Sequence, residues 1–234
     1  MAEVHDRSVE DRRMKVIELH ASVTQSNDRD AEELRNELSA KGVMLVNLMS
    51  SAGSGKTTLL SRIITDMKDS TGIAVLEADI DSAVDAEKIE SLGALSVQVH
   101  TDGMCHMDAG MTRAGLEAMD LAGIDLAFLE NIGNLICPAE YDTGAHRNMM
   151  ILSVPEGDDK PLKYPLMFEH SDALVITKID ALPYFDFSME KVRERVLRLN
   201  PQIRIFPVSA KTGEGMEELE KWLKEQIARV KADA

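Results

Sequence analysis

The stretch Val43-Met44-Leu45-Val46-Asn47-Leu48-Met49-Ser50-Ser51-Ala52-Gly53-Ser54-Gly55-Lys56-Thr57-Thr58 decides the fold. An apolar run, Val43 to Met49, leads into a glycine-containing loop. Leu59, Leu60, Ile63, Ile64 and Met67 then follow at helical spacing. Buried strand, loop and helix N-terminus in succession form the context that a phosphate-binding loop needs. Gly53 and Gly55 let the backbone curl so that its N–H groups point inward. The helix beyond Lys56 offers unpaired N–H groups and a positive dipole end to an anion. Lys56 is placed to bridge β- and γ-phosphates and the Thr57 hydroxyl to ligate Mg²⁺, with Ser54 and Thr58 in the same cradle. One residue departs from the usual pattern: Ser50 stands where such loops open with glycine.

Outward from this loop, apolar runs recur at 73–78, 94–99, 124–129, 149–154, 173–176 and 203–208. Helical patterns at 57–67, 83–92, 109–121, 189–199 and 216–230 separate most of them. Continuous apolar strands with amphipathic crossovers predict an α/β fold, a mostly parallel sheet with helices on both faces. Residues 1–41 are polar with two helical patterns and read as a helical N-terminal extension. Residues 42–234 read as one nucleotide-binding domain that also carries the metal site described below.

In such sheets ligands sit at the carboxyl ends of the strands. The second run ends in Glu77-Ala78-Asp79-Ile80-Asp81, with Asp85 beyond; the fourth ends in Glu130-Asn131-Ile132-Gly133-Asn134. Asp79, Asp85 and Glu130 are read as carboxylates that hold or orient Mg²⁺ beside the γ-phosphate, and Asp81 as a helix cap. Gly133 gives the fourth segment freedom to respond to that phosphate. The sixth run ends in Thr177-Lys178-Ile179-Asp180. A carboxylate there accepts from guanine N1–H and the 2-amino group, while the lysine stem lies along the ring. Thr177 replaces the usual asparagine. The seventh ends in Ser209-Ala210-Lys211-Thr212-Gly213, a loop of the kind that meets guanine O6. The two motifs together point to GTP rather than ATP.

Both cysteines stand at strand ends as well. Cys105-His106 follows the third run and Cys137 the fourth. Thiolate and imidazole suit Ni²⁺ or Zn²⁺ rather than Mg²⁺. Three ligands leave an incomplete shell, to be closed by water, a carboxylate or a second copy of the chain, which favours a transferable metal. The chemistry alone leaves this open against a pair of inert buried thiols.

The order Gly-x-Gly-Lys-Thr-Thr, Asp79, Asp85-Ala86-Glu87, Cys105-His106, Glu130-Asn131-x-Gly-Asn-Leu-x-Cys137-Pro138, Glu156-Gly157-Asp158-Asp159-Lys160 and Lys178-x-Asp180 resembles the hydrogenase nickel-incorporation GTPases of the HypB type, within the SIMIBI class of P-loop GTPases. The resemblance spans about residues 42–230. It implies a dimerisation-activated GTPase that delivers nickel to the hydrogenase large subunit with a HypA-type metallochaperone. It further implies that Cys105, His106 and Cys137 form a metal site at a homodimer interface, with Lys163 where subunits meet around nucleotide. The N-terminal Cys-rich or His-rich nickel motif of some members is missing: residues 1–41 hold no cysteine and only His5 and His20. Hydrolysis is expected to be slow, since no motif residue is assignable as a general base. Alternatives are a urease-type nickel GTPase, whose metal motif is Cys-Pro-His, and a metal-storage or sensing module with a vestigial nucleotide site.

A net charge of −15 argues against nucleic-acid or anionic-membrane partners. The charged N-terminus, the lack of an apolar run of about 20 residues and two cysteines in 234 residues lead to the expectation of a cytoplasmic protein.

Overall fold

The computed structural model describes residues 10–79, 89–101 and 103–234. Seven strands form one sheet, every pair parallel: β1 (Met44–Ser50), β2 (Ile73–Asp79), β3 (Leu95–His100), β4 (Leu126–Gly133), β5 (Arg147–Ser153), β6 (Ala173–Thr177) and β7 (Arg204–Pro207). Their order is β3-β2-β4-β1-β5-β6-β7, so β1 sits centrally between β4 and β5. All seven apolar runs of the sequence became strands. β1, β4 and β6 are buried along almost their whole length, which is why they lack the alternation of half-exposed strands.

The helices are α1 (Glu10–Ala40), α2 (Lys56–Met67), α3 (Ala109–Glu117), α4 (Lys160–Lys163), α5 (Pro165–Glu169), α6 (Met189–Leu199) and α7 (Met216–Ala232). α2 and α7 cover one face of the sheet, where Leu59, Ile63, Trp222 and Leu223 pack on Val46, Leu48, Phe128 and Val175. The other face carries two apolar clusters. One joins Leu34 and Leu38 of α1 and Leu116 of α3 to Leu45, Leu76 and Leu129. The second joins Met167 and Phe168 of α5 and Val192 of α6 to Met49, Leu152 and Leu174. α3 lies close on the sheet because of Gly115, where a β-carbon would come within 2.5 Å of Leu76 Cδ1.

The two helical patterns of the N-terminal segment are one helix in the structure. No glycine or proline interrupts residues 10–40, so nothing breaks the backbone between them. Arg35 of α1 donates through Nη2 to both carboxylate oxygens of Asp142 at 2.7 Å and through Nε to Ala145 O at 2.9 Å, fastening α1 to the loop before β5. The predicted helix at 83–92 falls mostly outside the described residues, as do Asp81 and Asp85; residues 89–91 are helical.

Candidate nucleotide site and thiol pair

β1 delivers the chain into the loop 51–55, which turns through Gly53 at φ 74° and Gly55 at φ 96° before α2 begins at Lys56. Both are left-handed conformations that glycine adopts without cost. Ser50 is fully buried, and its hydroxyl receives hydrogen bonds from Lys56 Nζ at 3.0 Å and Ser54 Oγ at 2.8 Å. The residue that departs from the usual glycine thus holds the loop's lysine. Ser51 Oγ donates to Glu156, whose other oxygen accepts from the Ser153 N–H and hydroxyl at 2.7 Å each. Gly133 at the end of β4 abuts the same loop: a β-carbon there would stand 3.0 Å from Ala52 N.

A cleft of about 510 Å³ opens above this loop, lined by Lys56, Thr57, Thr58, Glu77, Glu130 and Asn131 among others. Glu77 and Glu130 are register partners on β2 and β4, both buried at the cleft floor. Glu130 was picked from sequence and Glu77 was not. Only the cross-strand register marks it as Glu130's neighbour. Asp79 ends β2, while Asp85 lies outside the described residues, so of the carboxylates expected near Mg²⁺ the described side chain in the cleft is Glu130.

A second, smaller hollow of about 240 Å³ shares Gly55, Thr58 and Lys178 with the first and adds Thr177, Asp180, Ala210 and Lys211. Lys178 adopts φ 60°, and its ammonium donates to Gly53 O at 2.8 Å, laying its stem across Gly55. Thr177 Oγ1 donates to Ser54 O at 2.7 Å. The threonine therefore ties the β6 end to the phosphate loop with its hydroxyl. Ser209 Oγ donates to Asp180 Oδ1 at 2.7 Å and orients that carboxylate at the hollow. The predicted phosphate and base residues and Glu130 come from the segment after β1, from β4, from the segment after β6 and from the segment after β7, yet they meet around two hollows that share Gly55, Thr58 and Lys178. A larger cleft of about 880 Å³ lies at the opposite edge of the sheet, between α1, α3 and the segment before β4, and holds none of these residues.

Beside the nucleotide cleft, Cys105 Sγ lies 2.7 Å from Cys137 Sγ and 3.8 Å from His106 Nδ1; both cysteines are free thiols. β2 separates β3 from β4 in the sheet, so it is the loops beyond the strands that bring the thiols together. Asn134 braces the pair, donating to Cys137 Sγ at 3.4 Å and to Cys105 O at 3.5 Å while accepting from the Ile136 N–H at 2.8 Å. The His106 ring stacks on Tyr141, centroids 3.8 Å apart and planes 14° from parallel. Among the described residues no three His, Cys, Asp or Glu side chains are arranged to enclose an ion, so the expected three-ligand set is brought together only in part. The hydrogen bond to Cys137, with burial second, raises the pKa of Cys105 and keeps it a thiol. Burial lowers that of His106 against the pull of Asp108 and Glu140, leaving a neutral imidazole, the form that ligates metal. Asn134 stands in the quoted Glu130–Cys137 motif, whereas Tyr141 carried no signal in the sequence because its partner, His106, is distant in the chain.

Residues 44–207 match the family "CobW/HypB/UreG, nucleotide-binding domain". The chain is 41% identical over 215 residues to the hydrogenase maturation factor HypB of Rhizobium leguminosarum bv. viciae, covering 92% of this chain and 72% of that protein. It is 40% identical to the hydrogenase/urease maturation factor HypB of Helicobacter hepaticus, covering 92% of this chain and 90% of that one. Among solved structures, Helicobacter pylori HypB in complex with nickel superposes with a TM-score of 0.82 at 37% identity, over 87% of this chain and 96% of that one. The GDP complex of a signal recognition particle 54 kDa protein from Aeropyrum pernix, 16% identical over 80% of this chain and 49% of that one, shares the fold at a TM-score of 0.53.

Proposed function

The chain belongs to the HypB hydrogenase maturation factors of the CobW/HypB/UreG family, and we propose that it is a GTP-hydrolysing nickel metallochaperone. One observation carries the reading: the eight residues from Glu130 to Cys137 run from the floor of the nucleotide cleft to the thiol pair. A change at the γ-phosphate therefore has a covalent route of eight residues to a metal ligand. GTP is favoured over ATP by Asp180, held toward the base hollow by Ser209. Thr57, with Asp79, Asp85 and Glu130, would hold Mg²⁺, which neutralises developing charge on the phosphates. Lys56 and the loop N–H groups position the phosphates, and with no general base among the site residues turnover is slow.

Nickel is the cargo. Cys105, Cys137 and neutral His106 supply soft and imidazole donors suited to it. The incomplete shell supports closure by a second copy of the chain, so that metal and nucleotide both favour a homodimer. Delivery is to a NiFe hydrogenase large subunit, with a HypA-type metallochaperone as partner. Among the described residues no helix is long and apolar enough to cross a membrane, and cytoplasmic work on a soluble client is the reading that accompanies this function. Equilibrium dialysis against nickel, with and without GTP, together with phosphate release from GTP, tests the proposal. A chain that binds nickel but hydrolyses no GTP would instead be a storage or sensing module.

A further inference from the structure

One buried amide touches both sites. Asn131 follows Glu130 and is 1% exposed. It lies where β4 carries one residue more than β1, since Leu48 pairs with Glu130 but Ser50 pairs with Gly133. It lines the nucleotide cleft with Lys56 and Glu130. One end of its amide meets two backbone N–H groups, those of Ile132 at 2.9 Å and Met107 at 3.3 Å, and so must be the oxygen. The other end donates to Asn47 Oδ1 at 3.1 Å; Asn47 in turn donates to Asn148 Oδ1 at 3.1 Å, and Asn148 to His170 O at 3.1 Å. This polar ladder crosses three strands between the two apolar clusters of that sheet face.

Met107 is fully buried and directly follows Cys105-His106. Its N–H therefore fixes the chain one residue beyond the ligand pair. Cys137 follows any movement of β4 through the backbone itself. Cys105 and His106 come from the segment beyond β3, and the Asn131 amide links that segment to β4 next to Glu130. Breaking that link inside the protein would strand a buried N–H, at the cost of its desolvation. The tie therefore holds while the bulge moves.

We propose that Asn131 is the positioning residue that ties the Cys105-His106 loop to the nucleotide site, so that both halves of the thiol pair move with the nucleotide state. The proposal rests on the metallochaperone reading for its purpose, but its test does not need nickel. Each cysteine is alkylated with iodoacetamide and followed by peptide mass in the GDP state and with a non-hydrolysable GTP analogue. The wild type is compared with Asn131→Ala, Asn131→Ser and, as a control that cuts the ladder at its far end, Asn148→Ala. In the wild type and Asn148→Ala, the Cys105 labelling rate should differ between the two states. In the Asn131 variants the ratio for Cys105 should fall to unity while Cys137 keeps its dependence. Persistence of the Cys105 dependence in either Asn131 variant that melts cooperatively and binds GDP would overturn the proposal. So would its absence from the wild type, or its equal loss in Asn148→Ala, which would point to packing of the ladder as a whole. A parallel nickel titration of the wild type separates the two questions: no binding at the thiol pair removes the metallochaperone reading and leaves the labelling comparison intact.

Discussion

Lys56 rests on a hydroxyl. Its ammonium is held by Ser50 at 3.0 Å, and Ser50 is itself held by Ser54. The serine at this position therefore keeps the ammonium pointed across the loop. Lys56 is half-buried at the first position of α2 and packs into none of the three apolar clusters. Lys56→Ala should leave the melting temperature nearly unchanged and lower GTP turnover about 10²-fold or more, the usual cost of removing a charge-stabilising donor. Undiminished phosphate release from the purified variant would refute the nucleotide assignment. Asp180 makes a second test possible. Ser209 holds one carboxylate oxygen and leaves the group turned to the base hollow. Asp180→Asn replaces an acceptor with a donor and removes charge assistance, so GTP should bind about 10- to 100-fold more weakly. XTP, whose base lacks the 2-amino donor, should gain on GTP in competition for a labelled nucleotide; an unchanged preference means that the base is read elsewhere.

At the scale of elements, the loop from Asp142 to His146 shows how α1 is held and what acid does to it. His146 Nδ1 accepts from the Leu45 N–H at 3.0 Å and its Nε2 faces Ser39 Oγ at 3.0 Å, so the ring is neutral and bridges β1 and α1. Burial, with Arg35 and Arg147 nearby, lowers its pKa from 6.5 to about 4. Below about pH 6.5 the unfolded chain takes up a proton that the folded ring refuses, so stability present at neutral pH is lost as pH falls toward 4. With allowance for partial exposure the loss is about 2 kcal/mol. Urea unfolding of wild type and His146→Gln between those pH values should show a slope in the first that is flatter in the second. Equal slopes would mean that the ring is not the titrating group. The elements themselves were legible to different depths. The strands announced themselves as apolar runs because a parallel sheet covered on both faces leaves no polar side, although their ends moved by up to four residues, most at the end of β4. The two helical patterns of residues 1–41 are one helix, α1, over residues 10–40, because no glycine or proline falls between them to favour a break. The strand-end motifs, Asn131 and Asn134 among them, were legible because each is local. Glu77 and Tyr141 were not, since register and loop closure alone bring them to Glu130 and His106.

For the whole molecule, the consequence of a single sheet is that every motif opens on one edge, and the nucleotide cleft and thiol pair become neighbours without sharing a residue. β4 joins them, with Glu130 at the cleft and Cys137 at the thiols, and Gly133 pressed against Ala52 of the phosphate loop. That close approach means that β4 and the phosphate loop cannot move independently. A displacement of about 1 Å on loss of the γ-phosphate would exceed the roughly 0.2 Å within which coordination distances are held. Nickel should therefore bind with different affinity in the GTP and GDP states, and by linkage nickel must change nucleotide affinity by the same factor, typically about 5- to 150-fold. Since the three expected ligands do not enclose an ion within one chain, a second copy is the economical way to complete the shell. Metal should then promote dimerisation. Cys137→Ala should abolish that effect while leaving GTP binding intact, because Cys137 lines neither of the two nucleotide hollows. The measurements are nickel titrations in both nucleotide states, paired with sedimentation of wild type and Cys137→Ala with and without nickel. Equal nickel affinity in the two states would refute coupling through β4 even if both sites proved real. Nickel-driven dimers of Cys137→Ala would place the interface ligand elsewhere.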